Sequence, residues 1–99
     1  MSRINFDEND IQRLSYLKSK GYPDCTKIPL EVEEIKDLRI GTACYIISTG
    51  YPSPRLMMFL GYFEKGIKGC DGFIFCGDKG EYQYKAYNAG KTYNVFRTM

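Results

Sequence analysis

Hydrophobic positions along the chain fall into two regimes. Near the start, Ile11, Leu14 and Leu17 form one narrow apolar stripe among polar residues. That spacing is what a helix with a single buried face requires. Asp7 can accept a backbone N–H as N-cap with Asp10 at N3, and Phe6 and Ile11 have the spacing of a hydrophobic staple. Lys18 and Lys20 fall in the last turn, where cations suit the helix dipole. Gly21 fits a left-handed C′ position and Pro23 forbids continuation. The pattern predicts a helix over residues 7–20.

From Leu38 onward the spacing is that of strands. Residues 42–48, 73–76 and 93–97 are β-branched and aromatic runs. Residues 55–63 form a long apolar run without alternation, which implies cover on both faces or a strong bend, with Gly61 as the bend point. Residues 81–87 alternate: Tyr82, Tyr84 and Ala86 share one face, and Glu81, Gln83, Lys85 and Tyr87 the other. Residues 50–54, with Pro52 and Pro54, read as a rigid loop, residues 66–72 as a Gly-rich loop, and residues 77–80 as a hairpin turn. Between the regimes, residues 22–37 read as an acidic connector with one helical turn.

Leu38-Arg39-Ile40-Gly41-Thr42-Ala43-Cys44-Tyr45 resembles the opening of SH3-like barrels, where an apolar-x-apolar-Gly turn feeds the first long strand. The expected fold is therefore α+β: an N-terminal helix (1–21), the connector (22–37), then a five-stranded antiparallel SH3-like small barrel or strongly curved sheet (38–99). An open sheet with the helix across one face is the runner-up, and an OB-like barrel ranks third. At 99 residues the chain makes one domain. It buries roughly 65% of its unfolded surface, enough for one modest core.

Composition narrows the chemistry. There is no histidine, so Ser-His-Asp and Cys-His catalysis and His-containing metal sites are excluded. The cysteines Cys25, Cys44, Cys70 and Cys76 match no zinc or redox spacing and read as free thiols in a reducing cytoplasm. No apolar run long enough to span a membrane and no secretory signal is expected. Gly90-Lys91-Thr92 resembles the end of a phosphate-binding loop, but Lys85 stands where its first glycine belongs and no helix can follow. Ser15-Tyr16-Leu17-Lys18 fits S-x-x-K without its companion motifs. No cofactor, metal site or enzymatic activity is expected.

Charge and aromatics divide along the chain. Residues 1–37 carry net −2 and residues 38–99 net +4, and twelve of the fifteen aromatics lie in the second part. Tyr45, Tyr62, Tyr82 and Tyr84 are expected in the core, and Tyr51 and Tyr87 at the surface. Exposed tyrosines beside cations make a binding patch, because Tyr and Arg are common anchors of interfaces. The candidate partner-binding residues are Tyr51, Arg55, Lys85, Tyr87, Lys91 and Arg97. Glu31, Glu33, Glu34 and Asp37 form a candidate acidic docking surface, although a solvated face is the simpler reading of them.

The functional expectation is a non-enzymatic module acting by stoichiometric protein–protein interaction, as an inhibitor or adaptor. Small phage inhibitors of host defence enzymes are comparable in size and style only. Single-stranded nucleic-acid binding is one alternative and needs Lys85, Tyr87, Lys91 and Arg97 on one face. A small anionic ligand such as a nucleotide, held by the Gly-rich loop, is another. A monomer and a homodimer are both compatible with the chain.

Overall fold

Helix α1 runs Glu8–Ser19 in a computed structural model of the chain, which describes residues 8–48, 51–64, 71–86 and 92–99. Its end follows the expected chemistry. Gly21 adopts φ 94° and donates to the Lys18 carbonyl, while Tyr22 N–H reaches back to Leu17 O at 3.1 Å. This is a Schellman closure with glycine at the left-handed position. The proposed start, Phe6 and Asp7, lies outside the described residues. A second helix, α2 (Val32–Lys36), forms the one turn expected in the connector. Glu31 N–H donates to Glu34 Oε1 at 2.9 Å, so one of the connector acids serves the helix start.

Five strands follow: β1 (Ala43–Ser48), β2 (Tyr51–Phe63), β3 (Gly72–Gly77), β4 (Tyr82–Ala86) and β5 (Tyr93–Arg97). Every pairing is antiparallel, in the order β4-β3-β2-β1-β5. The proline-containing stretch expected as a loop is instead the start of β2. Tyr51 pairs with Ser48 and Arg55 with Ile46, so four steps on β2 match two on β1. Pro52 and Pro54 sit in this irregular stretch, where missing N–H donors cost no ladder bond.

The sheet is open, so of the two forms expected, small barrel or strongly curved sheet, the closed one is not formed. The connector explains why. Thr26 N–H donates to Arg97 O at 2.9 Å and Leu30 N–H to Val95 O at 2.8 Å, while Cys25 bridges Thr98. These bonds occupy the outer edge of β5, the edge that β4 would need for closure. No sequence signal marked residues 24–30 as an edge cover.

Curvature is nevertheless strong. The first part of β2 pairs with β1 up to Met58, and its second part pairs with β3 from Met57 onward. The switch is followed by a register shift between Phe59 and Gly61, with Gly61 at φ 147°. Few side chains tolerate that backbone, which supports the bend read from the sequence. The bend lays β4 over β1: Lys85 Nζ donates to Ser48 Oγ at 3.1 Å. In a flat sheet two strands three places apart would be about 14 Å distant.

Two cores result. On the inner face Cys44, Ile46, Met57, Phe59, Phe73, Phe75, Tyr93 and Val95 pack together, closed by Leu30 and Ile35 from the connector and α2. Phe59 and Phe75 meet edge to face at 5.6 Å. On the outer face Tyr45, Ile47 and Phe96 pack under Leu14 and Leu17 of α1. Residues of β1 thus enter opposite cores in turn, which is why residues 43–48 show no polar alternation. Tyr45 also donates its hydroxyl to Pro23 O at 2.7 Å, tying the end of α1 to the sheet.

Helix α1 covers only part of the outer face. Over β2, β3 and β4 the row Met58–Cys76–Tyr82 is unsheltered, with Met58 47% and Tyr82 68% exposed. Tyr82 therefore departs from its expected core position. Tyr84 is half-buried and lies against Gly72, where an added Cβ would also stand 2.7 Å from the Lys85 carbonyl. Among the described residues no helix is long and apolar enough to cross a membrane.

The two faces differ in what they contribute to stability. Truncating Phe75, fully buried, to alanine should cost about 3–5 kcal/mol by equilibrium urea unfolding. Tyr82→Ala on the unsheltered face should stay within about 0.5 kcal/mol of the parent.

Candidate functional site

The alternation read in β4 is present, but its polar side faces inward. Gln83 stands opposite Phe75 and Lys85 opposite Phe73, and both phenylalanines belong to the inner core. Period-two spacing defines two faces without saying which one the fold turns inward. Here the bend places β4 above Ser48, Arg55 and Tyr93, which supply partners for long polar side chains.

A polar cluster forms at this crossing. Arg55 Nη2 donates to Glu81 Oε1 at 3.1 Å, with the two side chains 36% and 39% exposed. The Gln83 side-chain oxygen, in the amide orientation that satisfies its neighbours, accepts from both Arg55 Nη atoms. The Glu81 carboxylate lies over Gly77, in space that any side chain at 77 would occupy. Lys85 Nζ, besides its bond to Ser48, sits 5.5 Å from the centre of the Tyr93 ring, a cation–π distance. Burial, and secondarily the Arg55 charge, hold the Lys85 ammonium below its ordinary pKa. Lys85 also stands on an edge strand, where an inward-pointing charge discourages a foreign strand from extending the sheet.

Of the candidate partner-binding residues, Arg55 and Lys85 converge here. Arg97 does not join them. It is exposed on β5 opposite Cys44, whereas Lys85 meets Ser48 at the other end of β1, about 13 Å along the strand. Tyr51 lies in β2, with its side chain outside the described residues, and Tyr87 and Lys91 lie outside them altogether, as do Cys70 and most of the Gly-rich loop (66–70 of 66–72). Lys85 turns inward at one end of β1 and Arg97 lies at the other. Ser48, Gln83 and Tyr93 were missed by sequence reasoning. None carries a motif, and only the bend brings them to the cations.

The acidic candidates Glu31, Glu33, Glu34 and Asp37 are all exposed around α2. Glu33 and Glu34 lie in its first turn, where acids suit the helix dipole. Glu34 holds the Glu31 N–H, and Asp37 N–H caps the other end through the Glu33 and Ile35 carbonyls. Their arrangement is that of a short helix holding Ile35 in the core.

Among the described cysteines, Cys25, Cys44 and Cys76 are free. Burial pushes the Cys44 thiol up to about 12 and raises Cys25 as well. A protonated buried thiol is a small hydrophobe and a poor nucleophile. Comparison of the chain with protein-family models, curated proteins and solved structures found no match.

Two measurements check this account. The Cys44 pKa is raised on folding from 9.0 to about 12, so the folded state holds that proton more tightly. Its contribution is fully present below pH 9 and is lost as pH rises toward 12. Urea midpoints across that range should fall less steeply for Cys44→Ala than for the parent. At the half-exposed Arg55–Glu81 pair, a double-mutant cycle with Arg55→Met and Glu81→Gln should give a coupling of no more than about 1 kcal/mol, shrinking with added salt.

Proposed function

We propose that this chain is a non-enzymatic binding module that associates stoichiometrically with a protein partner, as an inhibitor or adaptor does. The observation that carries this reading is the unsheltered outer face of β2, β3 and β4. Met58 and Tyr82 are exposed there, flanked by the half-buried Leu60, Ile74, Cys76 and Tyr84. Contiguous apolar and aromatic surface of this kind marks interaction sites, and Tyr and Met are enriched in interface cores. The surface stands on β-strands, so it is presented rigidly and little ordering entropy opposes binding. The Cys44 thiol is in keeping with this reading, because burial holds it protonated.

The SH3-like reading of residues 38–45 draws support from the strand order. Four strands form a meander, the fifth returns beside the first, and the long bent β2 serves both halves. Such a roll exposes one sheet face to partners while its inner face forms the core.

The test uses paired variants. Immobilised full-length protein is compared with Tyr82→Glu and Met58→Glu, each confirmed folded by its unfolding curve. The parent should retain a protein from cell extract at a one-to-one ratio and both variants should lose it. Retention by both variants at parental levels would place the contact elsewhere and overturn the assignment.

A further inference from the structure

The crossing of β4 over β1 holds an imbalance of charge. Arg55 has a carboxylate partner in Glu81, and Lys85 has none: among the described residues its contacts are the Ser48 hydroxyl and the Tyr93 ring. Among the described residues the charge that acts on it is Arg55, of the same sign. The neighbouring stretches of chain cannot correct this, because residues 49–50 and 87–91 contain no acid and the latter adds Lys91. A partly dehydrated ammonium is ordinarily compensated by a paired carboxylate or by exposure to water.

Protection of the edge strand does not by itself account for the geometry. An inward charge guards the edge by its direction, but that role gives the partly dehydrated Lys85 ammonium no anionic partner at the crossing. There the remaining Lys85 N–H groups lie beside the Ser48 hydroxyl, which accepts from Lys85 and keeps its own proton to give, with the Arg55 charge near enough to act on Lys85. Cationic donors with an added hydroxyl form the array that binds an anionic oxygen group. Glu81 does not fill that role, being held by Arg55 over Gly77.

We infer that the crossing is a binding site for an oxyanion, a phosphate or carboxylate group, held by Lys85 and Ser48 with Arg55 as the second cation. This site is separate from the outer face proposed for protein binding, so Tyr82→Glu should leave it intact, and either assignment can fail alone.

The experiment is an NMR titration of the isotope-labelled full chain with inorganic phosphate and, separately, with acetate, at constant ionic strength. Saturable shifts at Ser48, Arg55 and Lys85 are expected, with a midpoint in the millimolar range. Lys85→Gln should weaken binding at least tenfold and Lys85→Arg should largely retain it. Arg97→Gln, at the far end of β1, should bind as the parent does. If Lys85→Gln does not fold, Ser48→Ala replaces it, with a loss of several-fold expected. Saturation by phosphate alone identifies a phosphoryl ligand, and equal saturation by acetate identifies a carboxylate. Failure of both to saturate, parental affinity in the folded Lys85→Gln or Ser48→Ala variant, or an equal loss in Arg97→Gln would overturn the site.

Discussion

The bend of β2 is the constraint on which the other features depend. β2 pairs with β1 along its first part and with β3 along its second, and the register shift before Gly61 turns one part against the other. From that turn follows the contact of Lys85 with Ser48 across two intervening strands. From it also follows an inner face concave enough for Phe59, Phe73 and Phe75 to meet as one cluster. A flatter sheet would leave those rings side by side, with half of their area in water.

Cover is the second constraint. A sheet that bends this strongly has an inner face that the connector and α2 can close with Leu30 and Ile35. The outer face depends on α1, whose Leu14 and Leu17 pack with Tyr45, Ile47, Phe96 and Leu56. The two edges are treated as differently as the two faces. Residues 24–30 bond to the outside of β5, while among the described residues β4 carries an inward lysine. The uncovered half of the outer face and the polar crossing are therefore by-products of one arrangement, and they lie on opposite sides of the same strand, β4.

Much of the element pattern was legible. The stripe of Leu14 and Leu17, the Gly21 terminus, the 77–80 turn and the extent of β5 all follow from local rules, because each is decided within a few residues. The bend at Gly61 was legible for the same reason. Errors arose where long-range packing decided the matter. Residues 51–54 are strand because an irregular pairing with β1 accommodates their prolines. Tyr82 is exposed because β4 turns its tyrosines outward and Gln83 and Lys85 inward, against the usual preference for aromatic burial. Arg55 and Lys85 both lie at the crossing, and Arg97 stands at the other end of β1.

The sequence by itself determined where most of the helices and strands lie, residues 51–54 excepted, that the sheet is antiparallel with five strands, and that histidine-based chemistry is absent. Local backbone preference and hydrophobic period suffice for those statements, since neither depends on distant partners. Tertiary structure alone decided that the sheet stays open, which face of β4 is inner, and which half of the outer face lacks cover. Those outcomes turn on hydrogen bonds such as Leu30 to Val95 and Lys85 to Ser48, formed between residues distant in the chain. No local pattern encodes such pairings, because each is fixed only when the bend of β2 brings its partners within reach.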